Sequence, residues 1–259
     1  MSFIETGDSR VHYAMSGLAN APVVVLSNSL GTNLSMWDPQ MDALERKFRV
    51  VRYDMRGHGE TSVTPGPYTI EQLARDVVRL LDALHLDRVH FCGLSMSGMI
   101  GMWLGMNAAA RLDKLVLCNT AARIGTAEVW NARIDTVRKS GMKAIAPAVI
   151  DRWLTPEFCK RSPTATAALL QMLEDAPPEG YAACCAAVRD FDQREGVATI
   201  RVPTLVITGS HDPATPPADG RFLAEHIPGA QYLELNASHL SNVEAPEQFT
   251  AEIVRFLSE

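Results

Sequence analysis

This sequence of 259 residues has no excess of positive charge. Lysine and arginine number 24 against 30 aspartates and glutamates, which gives a net charge of −6. Binding to nucleic acid or to an anionic membrane needs a basic surface, so the charge balance argues against both classes of function. We therefore expect neither a nucleic-acid partner nor a membrane partner, and the oligomeric state stays open.

Targeting and metal-binding signals are also missing. The first residues, Met-Ser-Phe-Ile-Glu, lack the basic start and apolar core of a signal peptide, so we expect a cytoplasmic protein. The five cysteines show no CxxC spacing and favour free thiols. The adjacent pair Cys184-Cys185 is interpreted as helix packing rather than as a redox or metal site. We expect no metal and no cofactor.

Charged residues are absent from a long segment, residues 91–110. Its length would suit a membrane span, but its serines and glycines give it too little aliphatic density for one. A buried strand at 89–94 followed by a buried helix at 97–110 is the better interpretation. The junction between them reads Gly-Leu-Ser-Met-Ser-Gly, at positions 93–98.

A serine on a sharp turn between a buried strand and a buried helix is the nucleophile elbow of α/β-hydrolases, and here that serine is Ser95. The turn lifts the hydroxyl clear of the sheet, and the helix N-terminus offers free N–H groups to a developing negative charge. The usual pattern is Gly-x-Ser-x-Gly, but Ser97 occupies the fifth position and the glycine is displaced to Gly98. Because serine is small, we expect the elbow to form with some crowding.

Strand and helix signals alternate along most of the chain. Besides the elbow strand, strands are predicted at residues 10–14, 23–26, 48–53, 112–118, 204–208 and 231–235. Such alternation implies a mainly parallel sheet covered by helices on both faces. Between residues 121 and 192 only helical signals occur, with prolines between them. We therefore predict an α/β core of residues 1–120 and 193–259 and a helical cap of residues 121–192.

A serine hydroxyl needs a base to remove its proton and an acid to orient that base. In this fold the three groups follow the chain order Ser, acid, His, and each follows a strand. Of the seven histidines, four precede Ser95, one adjoins the candidate acid and one lies in a predicted helix. His239, after the last strand, remains, and Asp212 follows the preceding strand. We predict the catalytic triad Ser95, Asp212 and His239.

The oxyanion hole needs two backbone N–H donors. Met96, the residue after the nucleophile, is expected to supply one. The other is expected in the loop after strand 23–26, where Leu30 is best placed.

A second polar group, Asp-Met-Arg-Gly-His-Gly at 54–59, also follows a predicted strand. Its histidine precedes Ser95 and so fails the order of the triad. We interpret this group as a shaped turn in which Asp54 and Arg56 brace neighbouring loops.

A resemblance to a known family covers essentially the full chain. The segments that carry it are Ser-Asn-Ser-Leu-Gly-Thr at 27–32, Tyr-Asp-Met-Arg-Gly-His-Gly at 53–59, the elbow, Leu-Cys-Asn-Thr-Ala-Ala-Arg-Ile-Gly at 117–125 and Gly-Ser-His-Asp-Pro at 209–213. With these segments the chain resembles the α/β-hydrolases and, within them, the 3-oxoadipate enol-lactonases. Most relatives carry His-Gly where Asn28-Ser29 stand here.

The resemblance implies an eight-stranded, mostly parallel sheet with a helical cap. It also implies hydrolysis of 3-oxoadipate enol-lactone to 3-oxoadipate, a step of the β-ketoadipate pathway of aromatic degradation, through an acyl-enzyme on Ser95. That lactone carries a free carboxylate, so we expect a cation in the pocket. Trp130 and Arg133 stand three residues apart and share a helix face. We assign Arg133 to the carboxylate and Trp130 to the pocket wall; a merely solvated Arg133, with Arg123 as the runner-up cation, is the alternative.

Other functions on the same scaffold stay open. One is a carboxylesterase or lactonase for other small esters, which a comparison of charged and neutral substrates would separate. The other is a non-catalytic ligand-binding receptor that retains the triad and turns over very slowly.

Overall fold

The structure, a computed structural model, describes residues 2–259, so Met1 of the predicted core lies outside it. Its centre is one eight-stranded sheet. The strands are β1 (Ser2–Glu5), β2 (Arg10–Gly17), β3 (Val23–Ser27), β4 (Arg49–Tyr53), β5 (Val89–Leu94), β6 (Leu112–Cys118), β7 (Thr204–Gly209) and β8 (Gln231–Leu235). Their order across the sheet is β1-β2-β4-β3-β5-β6-β7-β8. Strand β2 is antiparallel to both neighbours, and the remaining pairs are parallel.

Helices cover this sheet and fill the segment between β6 and β7. They are α1 (Asp38–Glu45), α2 (Ile70–Ala83), α3 (Met96–Asn107), α4 (Ala127–Ser140), α5 (Ala146–Trp153), α6 (Pro156–Arg161), α7 (Pro163–Glu174), α8 (Pro178–Arg189), α9 (Pro217–His226), α10 (Ser241–Glu244) and α11 (Pro246–Ser258). Helices α4 to α8 form the helical insertion; α4 packs on α8, and α7 packs on α5 and α6. The fold is that of the α/β-hydrolases with a helical insertion.

The uncharged segment of the sequence is the centre of the molecule. All six residues of β5 are buried, and nine of the twelve residues of α3 are buried as well. Helix α3 contacts β5, β6 and α2, so it meets protein on nearly every side and has no place for a charge. Among residues 2–259, no helix is long and apolar enough to span a membrane.

The predicted core strands are confirmed, and the differences concern short or exposed elements. Strand β1 is not among the strands located from the pattern, since it has only four residues, three of them exposed. Helices α6 and α10 are also not predicted, since they span only six and four residues. Helix α3 begins at Met96, one residue earlier than predicted, and ends at Asn107.

The insertion contacts the core at several places. At one, Gly57 and Gly180 meet backbone to backbone: a Cβ atom on Gly180 would lie 2.1 Å from the Gly57 carbonyl oxygen. At another, the N–H of Leu240 donates to the carbonyl of Trp153, at the end of α5, over 2.9 Å. The insertion is therefore held both beside the turn after β4 and beside the loop after β8.

Candidate active site

Ser95 stands on a strained turn between β5 and α3. Its φ of 60° and ψ of −118° lie in a region that residues other than glycine rarely adopt. The neighbouring strand end holds this turn in place. The Ser95 N–H donates to the Cys118 carbonyl over 2.9 Å, and the Thr120 hydroxyl donates to the Ser95 carbonyl over 2.7 Å.

Close contacts explain why glycine stands on both sides of Ser95, at positions 93 and 98. A Cβ atom on Gly93 would lie 2.2 Å from the Ser97 carbonyl oxygen, and one on Gly98 would lie 2.5 Å from the Thr120 side chain. The crowding expected at Ser97 is absent, because its side chain points toward β3. Its hydroxyl donates to the Asn28 carbonyl over 2.5 Å and accepts from the Ser27 hydroxyl over 2.8 Å. Glycine is thus required at 93 and 98 but not at 97.

Asp212 and His239 follow β7 and β8 and form a buried pair. His239 Nδ1 lies 2.8 Å from Asp212 Oδ2. The other carboxylate oxygen, Oδ1, accepts from the N–H groups of Ala214 and Thr215 over 2.8 and 3.0 Å. Burial acts to raise the pKa of Asp212, but attraction to the His239 ring and the hydrogen bonds around the carboxylate outweigh burial and lower the pKa from its usual value. Because an ionised carboxylate only accepts, His239 Nδ1 carries the proton and Nε2 is left to act as a base.

Ser95 and His239 line the same cavity, which has a volume of about 250 Å³. Core loops form one side of it and the insertion forms the other. Its remaining lining residues are Ser29, Leu30, Met96, Ile124, Gly125, Val129, Trp130, Arg133, Val149, Arg152, Trp153, Tyr181, Val188, Pro213 and Ala214. Among residues 2–259, the side chains that line the cavity are mainly apolar and include two arginines but no acidic group, so the cavity suits a small substrate that carries negative charge.

Leu30 and Met96, the predicted oxyanion-hole residues, both line this cavity. Met96 is the first residue of α3, where backbone N–H groups have no acceptor within the helix. Within residues 2–259, neither the N–H of Leu30 nor that of Met96 is hydrogen-bonded. Two unused donors on residues that line the same cavity as Ser95 suit the role of an oxyanion hole.

The loop that carries Leu30 is held on both sides of that residue. Before it, the Asn28 amide donates to the Tyr53 carbonyl over 2.8 Å and accepts from the Trp37 indole over 3.0 Å. After it, the Gly31 N–H donates to Nε2 of His58 over 2.9 Å. Burial lowers the pKa of His58 to about 4, so its ring is neutral at neutral pH and Nε2 can accept that bond.

The predicted substrate-binding pair lies on α4. The Arg133 guanidinium carbon lies 4.9 Å from the centroid of the Trp130 ring, and both residues line the cavity. Arg123, the runner-up, is not in the cavity: its exposed side chain lies 3.7 Å from Asp192. Sequence reasoning missed Arg152 of α5, which lines the cavity as the second arginine. No periodicity or motif marks Arg152, because its place depends on how α5 packs over the core.

The turn at residues 54–59 has the contacts of a brace. Asp54 Oδ2 lies 2.7 Å from His12 Nδ1, and Asp54 Oδ1 accepts from the Leu34 N–H over 2.8 Å. The buried Arg56 forms an ion pair with Asp76 over 2.6 Å. None of these side chains lines the cavity. The structural interpretation of this turn agrees with these contacts.

The cysteines contribute no metal site in the described part of the chain. Cys184 and Cys185 are buried in α8 as free thiols. Across residues 2–259, no group of three or more His, Cys, Asp or Glu side chains is placed to hold a metal ion.

The fold, with a serine on a strained strand-to-helix turn and an Asp–His pair after later strands, defines an α/β-hydrolase. Consistent with this, the sequence profile of the alpha/beta hydrolase family matches residues 16–253. The chain belongs to this family.

Among individual proteins, two enol-lactonases are more similar to this chain than a carbamate hydrolase is. The chain is 45% identical over 242 residues to 3-oxoadipate enol-lactonase 2 of Acinetobacter baylyi, which spans 93% of this chain and 91% of that relative. A solved structure of the enol-lactonase from Burkholderia xenovorans LB400 superposes with a TM-score of 0.98 at 48% identity, over 100% of both chains. A putative carbamate hydrolase of Caulobacter is more distant, at 34% identity over 98% of this chain and 97% of that relative.

Proposed function

We propose that this chain is a serine hydrolase that opens 3-oxoadipate enol-lactone to 3-oxoadipate. One observation carries the proposal: in the described part of the chain, the cavity lined by Ser95 and His239 is also lined by two arginines and by no acidic side chain. A hydrolase for neutral esters has no need of such a lining, whereas a hydrolase that binds a carboxylate-bearing lactone needs a cation for the carboxylate. The full-length similarity to enol-lactonases of 45% and 48% identity supports the same substrate.

In the first half of the reaction, Ser95 Oγ attacks the lactone carbonyl carbon and His239 Nε2 takes its proton. Negative charge develops on the carbonyl oxygen, where the N–H groups of Leu30 and Met96 would donate to it. Each such donor typically lowers the barrier by about 3 kcal/mol. Asp212 keeps the imidazole oriented and stabilises its protonated form.

The tetrahedral intermediate collapses by breaking the ring C–O bond. The departing oxygen is an enolate oxygen, which receives the proton from His239, and the enol then tautomerises to the ketone. The opened chain stays attached to Ser95 as an ester. A water molecule activated by His239 hydrolyses that ester and yields a second carboxylate.

Arg133 is assigned to the substrate carboxylate and Trp130 to the wall beside it. The guanidinium of Arg133 lies over the indole ring of Trp130, and no acidic side chain within residues 2–259 forms an ion pair with it that would compete for the substrate. We assign residues 121–192 as the cap that supplies these groups over a core of residues 1–120 and 193–259. A cytoplasmic location stays a prediction.

The test is steady-state turnover of the enol-lactone, with a neutral ester such as p-nitrophenyl acetate assayed in parallel. We expect wild-type turnover of the lactone and a loss of at least about 10⁴-fold in Ser95→Ala. Ser140→Ala, at the exposed end of α4, is the matched control and should keep the wild-type rate. Turnover of the neutral ester alone would replace the proposal with an esterase. Turnover of neither substrate would indicate a receptor.

A further inference from the structure

Asn119 is a buried residue next to the triad to which the mechanism above gives no role. It follows β6 directly and has a φ of 44°, a left-handed conformation that asparagine adopts more readily than other side chains do. Its backbone N–H donates to the Ile207 carbonyl of β7 over 2.8 Å. The main chain therefore holds Asn119 at the carboxyl end of the sheet.

The side-chain amide of Asn119 contacts both loops that carry the Asp–His pair. Its Nδ2 group donates to Asp212 Oδ2 over 3.0 Å and to the Ser238 carbonyl over 3.2 Å. Its Oδ1 accepts from the Ser241 hydroxyl over 2.5 Å. A carboxylate and a carbonyl can only accept, so the atom that faces both must be the NH₂ group. The orientation of this amide is thus determined by its partners.

We propose that Asn119 is a positioning residue that sets the placement of Asp212 relative to His239. The inference rests on the proposed hydrolase function and adds a residue to it. Asp212 Oδ2 accepts from three groups: the His239 ring, the Thr215 hydroxyl and the Asn119 amide. With these donors and the two on Oδ1, the carboxylate cannot rotate away from His239.

The second Asn119 bond acts on the base instead of the acid. Ser238 directly precedes His239, so holding its carbonyl holds the main chain from which the imidazole projects. Asp212 and His239 come from separate loops, and one amide bonds to both of them. Small errors in such a geometry are costly in rate, and supporting hydrogen bonds prevent them.

Position 119 needs a residue that tolerates a positive φ and that donates to both Asp212 and the Ser238 carbonyl. Glycine and aspartate each fail one part of this requirement. Glycine fits the positive φ but has no donor. Aspartate has the right size, but it would turn an acceptor toward two acceptors and place a second negative charge beside Asp212. These two residues make a pair of diagnostic substitutions, since one deletes the amide without backbone strain and the other changes its charge.

The first experiment measures kcat and KM of Asn119→Gly on the enol-lactone and on p-nitrophenyl acetate. We expect kcat to fall about 10- to 100-fold on both substrates, with KM within about twofold, because substrate contacts are unchanged. Asn107→Gly, at the exposed end of α3, is the matched control and should keep the wild-type rate. If wild type cleaves only the neutral ester, the proposed substrate fails while Asn119 is still tested.

The second experiment measures the pH profile of kcat/KM and the hydrogen bond between Asp212 and His239, the second of which a merely structural role would leave unchanged. In Asn119→Asp, the added negative charge favours the imidazolium form of His239, so the acid limb of the kcat/KM profile should move up by about one pH unit. In Asn119→Gly, the far-downfield ¹H NMR signal of the Asp212–His239 hydrogen bond should shift or broaden. An unshifted pH profile with an unchanged signal would overturn the proposal, even if the amount of folded protein fell.

Discussion

Ser97 is where this chain departs from the usual elbow pattern, and its hydroxyl makes a testable contribution. In Ser97→Ala the Cβ atom stays, so helix α3 keeps its packing, but the buried Asn28 carbonyl loses its donor. A buried acceptor left without a partner costs about 1–3 kcal/mol. The Ser27 hydroxyl still has the Tyr53 hydroxyl at 2.6 Å, so little is added from that side. We expect the free energy of unfolding to fall by about 1–3 kcal/mol.

The same substitution should affect catalysis more weakly than stability. Asn28 stands two residues before Leu30, so its carbonyl helps to hold the loop of residues 28–32, here called the oxyanion loop. The Asn28 side-chain bonds and the Gly31–His58 bond remain. A partial displacement should cost less than the full loss of a donor, and we expect kcat to fall by up to about tenfold, or about 1.4 kcal/mol.

Urea unfolding followed by circular dichroism measures the first effect. In a thermal melt, a chain of this size loses roughly 2–4 °C in Tm per kcal/mol of lost stability, so Tm should fall by about 2–12 °C. Ser97→Gly, which restores the usual Gly-x-Ser-x-Gly pattern, should be at least as destabilised, because it loses the hydroxyl and adds backbone freedom. If Ser97→Ala unfolds within about 0.5 kcal/mol of wild type, as a surface substitution would, the reasoning about this hydroxyl is refuted.

Two further predictions follow from the cavity and from the oxyanion loop. Arg133→Ala should lower kcat/KM for the carboxylate-bearing lactone about 10- to 100-fold, mainly through KM, and leave a neutral ester unchanged; Arg123→Ala is the control, and equal losses on both esters would contradict the assignment. His58 has its pKa lowered by burial to about 4, so between about pH 6.5 and pH 4 the unfolded chain binds a proton that the folded chain does not. Stability should therefore fall by up to about 3 kcal/mol as the pH drops through this window. Urea unfolding of His58→Gln at neutral pH and at about pH 4.5 should show a smaller fall, and an equal pH dependence would contradict it.

The candidate triad could be proposed from the sequence because each of its positions depends on chain order and strand ends, both of which the sequence displays. Asp212 follows the fully buried strand β7, His239 follows the last strand, and four histidines are excluded simply by preceding Ser95. Trp130 and Arg133 could be paired because helical spacing is local. In these cases the relevant distance along the chain is short, or the fold rule is strict.

The remaining parts of the site depend on contacts between distant residues. Asn119 meets Asp212 and Ser241 at separations of 93 and 122 residues, and no pattern in the sequence marks such a meeting. Arg123 has the right charge, but its exposed side chain lies near Asp192. For Ser97, the sequence shows the size of the side chain but not its direction. The sequence therefore predicts crowding at a position where the structure has a hydrogen bond.

The contact between Gly57 and Gly180 restricts how this chain can vary. Any side chain at Gly180 would collide with the carbonyl of Gly57, and a Cβ atom on Gly57 would lie 2.7 Å from the Cα of Gly180. The two positions are 123 residues apart in sequence, yet neither glycine can be replaced while the backbone of the other stays in place. A chimera that takes its insertion from one hydrolase and its core from another must therefore inherit both glycines together. When the substrate range is changed by laboratory evolution, Gly57 and Gly180 should stay invariant while the residues that line the cavity change.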